Sequence, residues 1–282
     1  ALAVRTVRGE RQEPPAGPSE PLAAVRLVPV DPLDWQQPGF RPFHSRLYHF
    51  VHAAVRGLAR AVLGLQPHVH PAARLGGSAL VACNHVSSVD PVLGGVVVPF
   101  ETFFVAKLEL FQSPLLARLI ERFNAIPIRR GTADFEALDR AVGCLQAGRN
   151  LFMFPEGTRQ RSGQLGRAKW GFGYVAVHAG RPVIPVYLRG TKALRPWPFR
   201  RAPLEVWVGE PVAVERGPGR IDHATYKEVG HLVMERIQGL RLRSAAGRPI
   251  PGLDLPAALA PTARVERTEA SQDVRGATSN PL

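Results

Sequence analysis

Residues 84–91 combine an imidazole and a carboxylate at a spacing that suits acid–base chemistry. They read Asn-His-Val-Ser-Ser-Val-Asp-Pro, so His85 and Asp90 lie five positions apart with hydroxyls between them. On one straight helix this spacing would point the two side chains to different faces, but a turn can close them on each other. A carboxylate on one ring nitrogen fixes the tautomer and leaves the other nitrogen free as a general base. We therefore interpret His85 and Asp90 as a candidate catalytic pair.

The flanking residues predict a turn at this position. Residues 78–83 are short and apolar and follow two glycines, which is typical of a buried strand. Asp90 precedes a proline, which disfavours helical geometry at Asp90, and Pro91 suits the first position of a helix. We therefore predict that Asp90 is the N-cap of a helix and that His85 lies in a strand-to-helix turn.

A second charged stretch decides between a functional and a structural interpretation of this pair. A single histidine near an aspartate in a turn is more often structural. Residues 150–154 form another short apolar strand, however, and residues 154–159 read Phe-Pro-Glu-Gly-Thr-Arg. Charge again follows the carboxyl end of a strand, which is the edge where ligands bind in open α/β sheets. Charged residues at the ends of two strands favour a functional role for His85 and Asp90 over a structural one.

In this order, the two stretches resemble the motifs of the glycerolipid acyltransferase family, which includes the lysophosphatidic acid acyltransferases. Residues 124–131 are similar to a further family block that ends in a substrate-binding arginine, matched here by Arg130. Residues 183–186 are similar to the last block, a valine-proline strand. Arg129 departs from the pattern, because the family often has aspartate at that position.

The resemblance implies a fold, a reaction and a set of site residues. His85 would deprotonate the acceptor hydroxyl, which then attacks an acyl thioester directly, while Asp90 orients His85. Arginine guanidinium groups suit phosphate oxygens, and a glycine allows the backbone to approach a substrate closely. The implied substrate-binding residues are Arg130, Glu156, Gly157, Thr158, Arg159 and Lys169. A covalent serine intermediate through Ser87 or Ser88 is not required.

The implied acceptor is 1-acylglycerol 3-phosphate and the product is phosphatidic acid, with acyl-coenzyme A or acyl carrier protein as donor. Glycerol 3-phosphate or another lysolipid, for example an amino-acid lipid, is an alternative acceptor. A thioesterase and an inactive lipid-binding protein are further alternatives. We expect no cofactor, and no metal site because carboxylate or cysteine partners at ligand spacing are absent around the histidines.

The net charge of the chain indicates which binding partners to expect. The chain has 36 basic and 23 acidic residues among 282, a formal net charge of +13. This excess favours phosphorylated substrates and an anionic membrane surface. Nucleic acid is not expected, because aromatic residues are 7% of the chain and no recognisable nucleic-acid-binding module is present. The two cysteines, Cys83 and Cys144, lie in apolar contexts typical of buried thiols. A disulfide between them is the alternative.

Periodicity predicts a single α/β domain with a mixed, partly parallel sheet flanked by helices. We expect residues 1–42 to be disordered or loosely ordered, 43–243 to form the domain, and 244–282 to be a disordered tail. Residues 44–65 predict a basic amphipathic helix, which either packs on the core or lies in the lipid headgroup plane. No window of about 18 apolar residues is present, so we expect a peripheral protein on the cytoplasmic face of the membrane. The predicted strands are 78–83, 101–106, 125–128, 151–154, 183–188 and 204–208.

Overall fold

The fold is taken from a computed structural model of the protein. The structure describes residues 24–30, 45–74, 76–129, 134–192, 194–195, 198–199 and 203–247. Arg130, most of the predicted N-terminal segment 1–42 and most of the predicted tail 244–282 therefore lie outside the described residues.

Five parallel strands form the centre of the sheet. They are short and apolar, and three of them are buried at every position or nearly so, because parallel strands are covered on both faces. Their spatial order is β7-β3-β6-β4-β5. Their bounds are β3 Leu80–Cys83, β4 Thr102–Lys107, β5 Ala125–Ile128, β6 Asn150–Met153 and β7 Val183–Arg189.

Four further strands make the remaining margin of the sheet. β8 (Leu204–Val208) and β9 (Val212–Arg216) both pair antiparallel with β7. β1 (Val25–Pro29) pairs antiparallel with β9, and β2 (Leu65–Val69) pairs parallel with β8. The sheet is therefore mixed, as the sequence predicted.

Helices cover both faces of the sheet, and each face has its own apolar core. On the first face, α1 (Arg46–Leu63) and α2 (Asp90–Gly95) contribute Ala59 and Leu93. On the second face the core receives side chains from three other helices. These are α4 (Phe135–Gln146), α5 (Trp170–Ala179) and α6 (His223–Ala246). A short 3-10 helix (Leu108–Gln112) and α3 (Pro114–Arg122) connect β4 to β5.

The mixed α/β architecture is confirmed, and three strands were missed. β1 lies inside the segment predicted to be loosely ordered, so that prediction is wrong for Val25–Pro29, which pairs along its whole length. β2 contains Pro67, which argues against a strand, but a strand with one neighbour tolerates proline. Within the described residues, no helix is both long enough and apolar enough to cross a bilayer.

Candidate active site

Asn84 fixes the end of β3 just before His85. Its Oδ1 accepts a hydrogen bond from the backbone N–H of Leu188 at 2.7 Å, and its Nδ2 donates to the carbonyl of Leu188 at 3.1 Å. The side-chain amide of Asn84 thus adds two hydrogen bonds to β7 beyond the last residue of β3. Sequence reasoning did not assign a role to Asn84. Its position beside His85 at a strand end was the available signal.

His85 and Asp90 are brought together by the turn. His85 Nδ1 lies 3.0 Å from Asp90 Oδ2, and both side chains are buried. The same oxygen accepts the backbone N–H groups of Val86 and Ser87, each at 2.6 Å. Three donors on one carboxylate oxygen hold the turn closed, which orients the ring and leaves Nε2 as the nitrogen for a reacting group.

The predicted capping role of Asp90 is wrong. The N-cap of α2 is Val89, which has no side-chain capping bond, and Asp90 and Pro91 are the first two helical residues. The physical reason is that Oδ2 already accepts three hydrogen bonds from the preceding turn. The Asp90 carboxylate therefore closes the His85 turn instead of capping the helix.

The second motif lies beside the first because β3 and β6 are neighbours. The ring of Phe154 stacks on the ring of His85 with centroids 4.0 Å apart and planes 18° apart. The backbone N–H of Gln160 donates to the carbonyl of His85 at 2.7 Å. The loop after β6 therefore holds the imidazole from one side, and His85 keeps only 6% of its surface exposed.

The side chain of Glu156 lies in the interior of the protein. It is 1% exposed, and its Oε1 accepts the backbone N–H of Gly166 at 3.2 Å. Its Oε2 is buried without a hydrogen-bond partner among the described residues. Burial raises the pKa of this carboxyl from its ordinary value of 4.5 to about 7, against the opposing effect of the Gly166 amide. The backbone N–H of His85 also lowers the pKa of Glu156, so this carboxyl lies next to the candidate base, and its contact with the acceptor stays a prediction.

Gly157 and Lys169 meet at the base of the same loop. Gly157 has a φ of +67°, where only glycine is relaxed, and a Cβ there would lie 3.1 Å from Lys169 Cγ. The backbone N–H of Lys169 donates to the carbonyl of Pro155 at 2.7 Å, which closes the loop. Thr158 and Arg159 lie exposed on the outside of this turn.

The block around β5 is farther from His85. Three strand spacings separate β3 from β5, which corresponds to about 14 Å. Arg129, at the end of β5, is exposed, and its backbone N–H donates to Asp134 at 2.9 Å. Arg130 follows it and lies outside the described residues.

An apolar cavity of about 110 Å³ opens beside the second motif. Strands β4, β5 and β6 form its floor, and α4 and α5 form its walls. Phe154 lines this cavity and also stacks on His85, but the buried side chains of the lining belong to the core of the second face, whereas Phe154 packs with the core of the first. The lining residues are Val105, Ile128, Leu138, Met153, Phe154, Pro155, Gly157, Lys169, Gly171 and Phe172.

The two cysteines do not supply a nucleophile. Both are free, and burial raises the pKa of Cys83 well above its ordinary value and that of Cys144 to about 12. Neither is a thiolate near neutral pH. Across the part of the chain that the structure describes, no three His, Cys, Asp or Glu side chains form a group that could hold a metal ion.

Comparison with known proteins agrees with this geometry. The model of the acyltransferase family matches residues 66–189, which contain both motifs and the strands that carry them. Residues 66–189 are therefore similar to the acyltransferase family. The matched range begins in β2 and ends with β7, so it includes the whole parallel sheet.

Relatives of this chain are named for lipid acylation. A 1-acyl-sn-glycerol-3-phosphate acyltransferase of Limnanthes douglasii is 31% identical over 186 residues, which are 64% of each chain. A protein of Bacillus subtilis with the same name is 25% identical over 47% of this chain and 66% of its own. A lyso-ornithine lipid O-acyltransferase of Pseudomonas aeruginosa is 36% identical over 38% of this chain and 41% of its own. The chain thus spans about two thirds or less of these relatives.

A solved structure shares the fold. The 1-acyl-sn-glycerophosphate acyltransferase PlsC of Thermotoga maritima superposes with a TM-score of 0.52. The superposition covers 71% of this chain and 84% of the other at 24% sequence identity.

Proposed function

We propose that this protein transfers a fatty acyl group from a thioester donor to the free hydroxyl of 1-acylglycerol 3-phosphate, giving phosphatidic acid. The observation that carries the proposal is the contact between His85 and Asp90 at the carboxyl edge of the parallel sheet. Asp90 holds Nδ1, so Nε2 is the base. The matched family and the names of the relatives support the same reaction.

The reaction needs no acyl-enzyme. Nε2 of His85 removes the proton of the acceptor hydroxyl as its oxygen attacks the thioester carbonyl, and the tetrahedral intermediate then expels the thiolate. The imidazolium returns its proton to the leaving sulfur, so atoms and charge balance. Asp90 stabilises the imidazolium during this cycle. General-base assistance of this type is worth roughly 10² to 10⁴ in rate.

The substrate sites follow from the surroundings of His85. The cavity beside the second motif is apolar, so we assign it to an acyl chain. Arg159 and Lys169 are exposed cations on the loop beside His85, and we assign them, with Arg130, to the acceptor phosphate. Gly157 gives this loop its sharp turn and Thr158 exposes a hydroxyl beside Arg159.

The backbone donors of the His85 turn are already engaged. The N–H groups of Val86 and Ser87 both donate to Asp90, so neither is available for the oxyanion of the tetrahedral intermediate. The N–H of Gly157 also donates to the carbonyl of Phe154, so an oxyanion site would have to come from other backbone donors of that loop or from the start of α2.

One experiment tests the reaction. Purified protein is incubated with labelled acyl-coenzyme A or acyl carrier protein and a panel of lysolipids, and new diacyl products are measured. His85→Ala should lower turnover by about 10² to 10⁴-fold, because the base is lost. His231→Ala is the matched control, since His231 is an exposed histidine on α6 and should leave turnover unchanged. Turnover by His85→Ala equal to that of the wild type would contradict the proposal, and absence of product with the wild type for every acceptor would favour an inactive lipid-binding protein.

An amino-acid lysolipid is the second candidate acceptor, favoured by the similarity to the Pseudomonas enzyme. Such an acceptor carries no phosphate. Arg159→Gln should therefore raise the KM of a phosphorylated acceptor by about 10-fold or more, as expected for losing a charge-assisted contact, but should leave an amino-acid acceptor unaffected. Release of free fatty acid without any acceptor would identify a thioesterase.

We further propose that α1 lies on an anionic membrane surface. Its apolar residues Leu47, Phe50, Leu58 and Val62 are 44%, 70%, 63% and 42% exposed, while Tyr48 and His52 face the domain. Ala59 packs in the core with Val55 and Leu63 against it, so α1 carries a second apolar stripe that its own domain leaves uncovered. Arginines at both ends of α1 suit anionic headgroups. A peripheral position on the cytoplasmic face of the membrane is the localisation that this surface fits.

A further inference from the structure

Exposed apolar side chains concentrate in two segments of the described residues. Of the twelve large hydrophobic side chains that are exposed there, eight lie in α1 or between β4 and the end of α3. Four belong to α1, as described above. The other four are Leu108 (36% exposed), Leu110 (43%), Leu115 (80%) and Leu119 (55%). No residue of α3 is buried, although its sequence is amphipathic.

The two segments lie on the same face of the sheet. The chain steps from β3 to β4 and from β4 to β5 in the same direction across the strand order. Since such crossovers are right-handed, α3 lies on the face already occupied by α2 and α1. The steps from β5 to β6 and from β6 to β7 run in the opposite direction, which agrees with α4 and α5 packing on the other face.

Direct contacts join the two helices. The ring of Tyr48 in α1 lies 6.0 Å from the ring of Phe123, which ends α3. Glu101 links both segments, because it accepts the backbone N–H of Ser45 at 3.1 Å and the Nδ2 group of Asn124 at 2.7 Å. The exposed apolar residues of α1 and α3 therefore belong to one surface.

We propose that α3 and the 3-10 helix before it form a second membrane contact, continuous with α1, which seats this face of the domain on an anionic bilayer. The charge of α3 supports a bilayer as its partner over another protein. Leu115 and Leu119 are flanked by Arg118 and Arg122, which are exposed and make no ion pair with a described residue. Leucines between arginines fit the boundary between headgroups and acyl chains. The inference rests on the proposed function only in taking the membrane as partner.

The second contact also sets the position of the catalytic edge. Leu108 and Leu110 directly follow the carboxyl end of β4, which is the edge of the sheet that carries His85. Docking through α1 alone would leave the domain free to rotate about the helix. Docking through both helices fixes that edge against the bilayer, where a lysolipid acceptor resides.

The test compares binding of variants to vesicles. The double variant Leu115→Gln/Leu119→Gln alters exposed positions only, so folding should persist, as checked by its melting temperature. Binding to phosphatidylcholine vesicles containing phosphatidylglycerol should fall by about 10-fold or more, the factor expected when two leucines insert halfway. Leu242→Gln is the matched control, because Leu242 is 60% exposed on α6 at the other face of the sheet.

Three results would overturn the inference. Unchanged vesicle binding of the double variant is the first, and an equal loss in Leu242→Gln is the second. The third comes from Leu115→Trp, whose fluorescence should shift to the blue only when vesicles are added. A blue shift in buffer alone, or a change in oligomeric state caused by the double variant, would mean that protein covers α3. None of these measurements requires catalysis, so they separate this inference from the proposed reaction.

Discussion

Replacing Asp90 by asparagine tests whether the carboxylate acts through the imidazole. The side-chain shape is nearly unchanged, so the amide oxygen can take the place of Oδ2 and accept from His85, Val86 and Ser87. The amide nitrogen then occupies the place of Oδ1, which is buried without a partner among the described residues. An unpaired buried donor costs about 1–3 kcal/mol, so we expect a moderate loss of stability.

The larger effect of Asp90→Asn should be on turnover. In the wild type, a charge-assisted hydrogen bond stabilises the imidazolium that forms as the acceptor is deprotonated. A neutral amide in that place stabilises the transition state less by about 2–3 kcal/mol, which lowers kcat by a factor of about 30 to 200. The loss cannot exceed the whole contribution of the base, which is roughly 10⁴-fold.

The assay is the steady-state kinetics of Asp90→Asn with varied acceptor at saturating donor. The acceptor KM should stay within about threefold of the wild type, because Asp90 is fully buried and does not touch the acceptor site. Asp139→Asn, an exposed aspartate on α4, is the control and should leave both constants unchanged. An unaltered kcat, or a loss confined to acceptor affinity, would refute the assignment of Asp90.

Two further predictions concern stability. Since burial raises the pKa of Glu156 to about 7, the folded state holds a proton that the unfolded state releases above pH 4.5, and stability should fall as pH rises between these values. Glu156→Gln removes this dependence, so its melting temperature relative to the wild type should rise from pH 4.5 to 7 and level off above; parallel curves would contradict it. Gly173→Ala should lower the free energy of unfolding by about 3 kcal/mol or more, because its Cβ would lie 1.9 Å from the carbonyl oxygen of Tyr226. Gly143→Ala in α4, where a Cβ meets nothing within 4 Å, should instead be neutral or stabilising by up to about 1 kcal/mol in chemical denaturation.

The centre of the fold could be predicted because its signals are local. β5 and β8 have the bounds that their apolar runs predict, and the other central strands differ by one or two residues. A strand buried on both faces must be apolar throughout, so its sequence alone reveals it. The strands at the antiparallel margin lack this signal. β2 carries Pro67 and β1 lies in a proline-rich stretch, and their partners β8 and β9 lie more than a hundred residues away.

The residues of the candidate site also differ in whether the sequence could predict their contacts. The closure of the turn between His85 and Asp90 follows from residues a few positions apart. The orientation of Glu156 does not, because it depends on Gly166 and on the packing of the loop against β3. The clamp formed by Asn84 was also beyond sequence reasoning, since Leu188 lies 104 residues away. Side chains whose partners are local could be assigned, whereas those whose partners come from another strand could not.

The strand order explains why two motifs about 70 residues apart form one site. β6 is inserted between β3 and β4, so the loops after β3 and β6 emerge side by side, although six elements separate these strands in the chain. The insertion also places β4 and β5 beyond β6, and their carboxyl ends then extend the edge toward α3 and its exposed leucines. A single sheet edge thereby carries, in order, the base, the loop with Arg159 and Lys169, and the start of the proposed second membrane contact. If the headgroup of an acceptor reacts while its acyl chain stays in the bilayer, the base, the cationic loop and the membrane contact must lie next to one another on this edge.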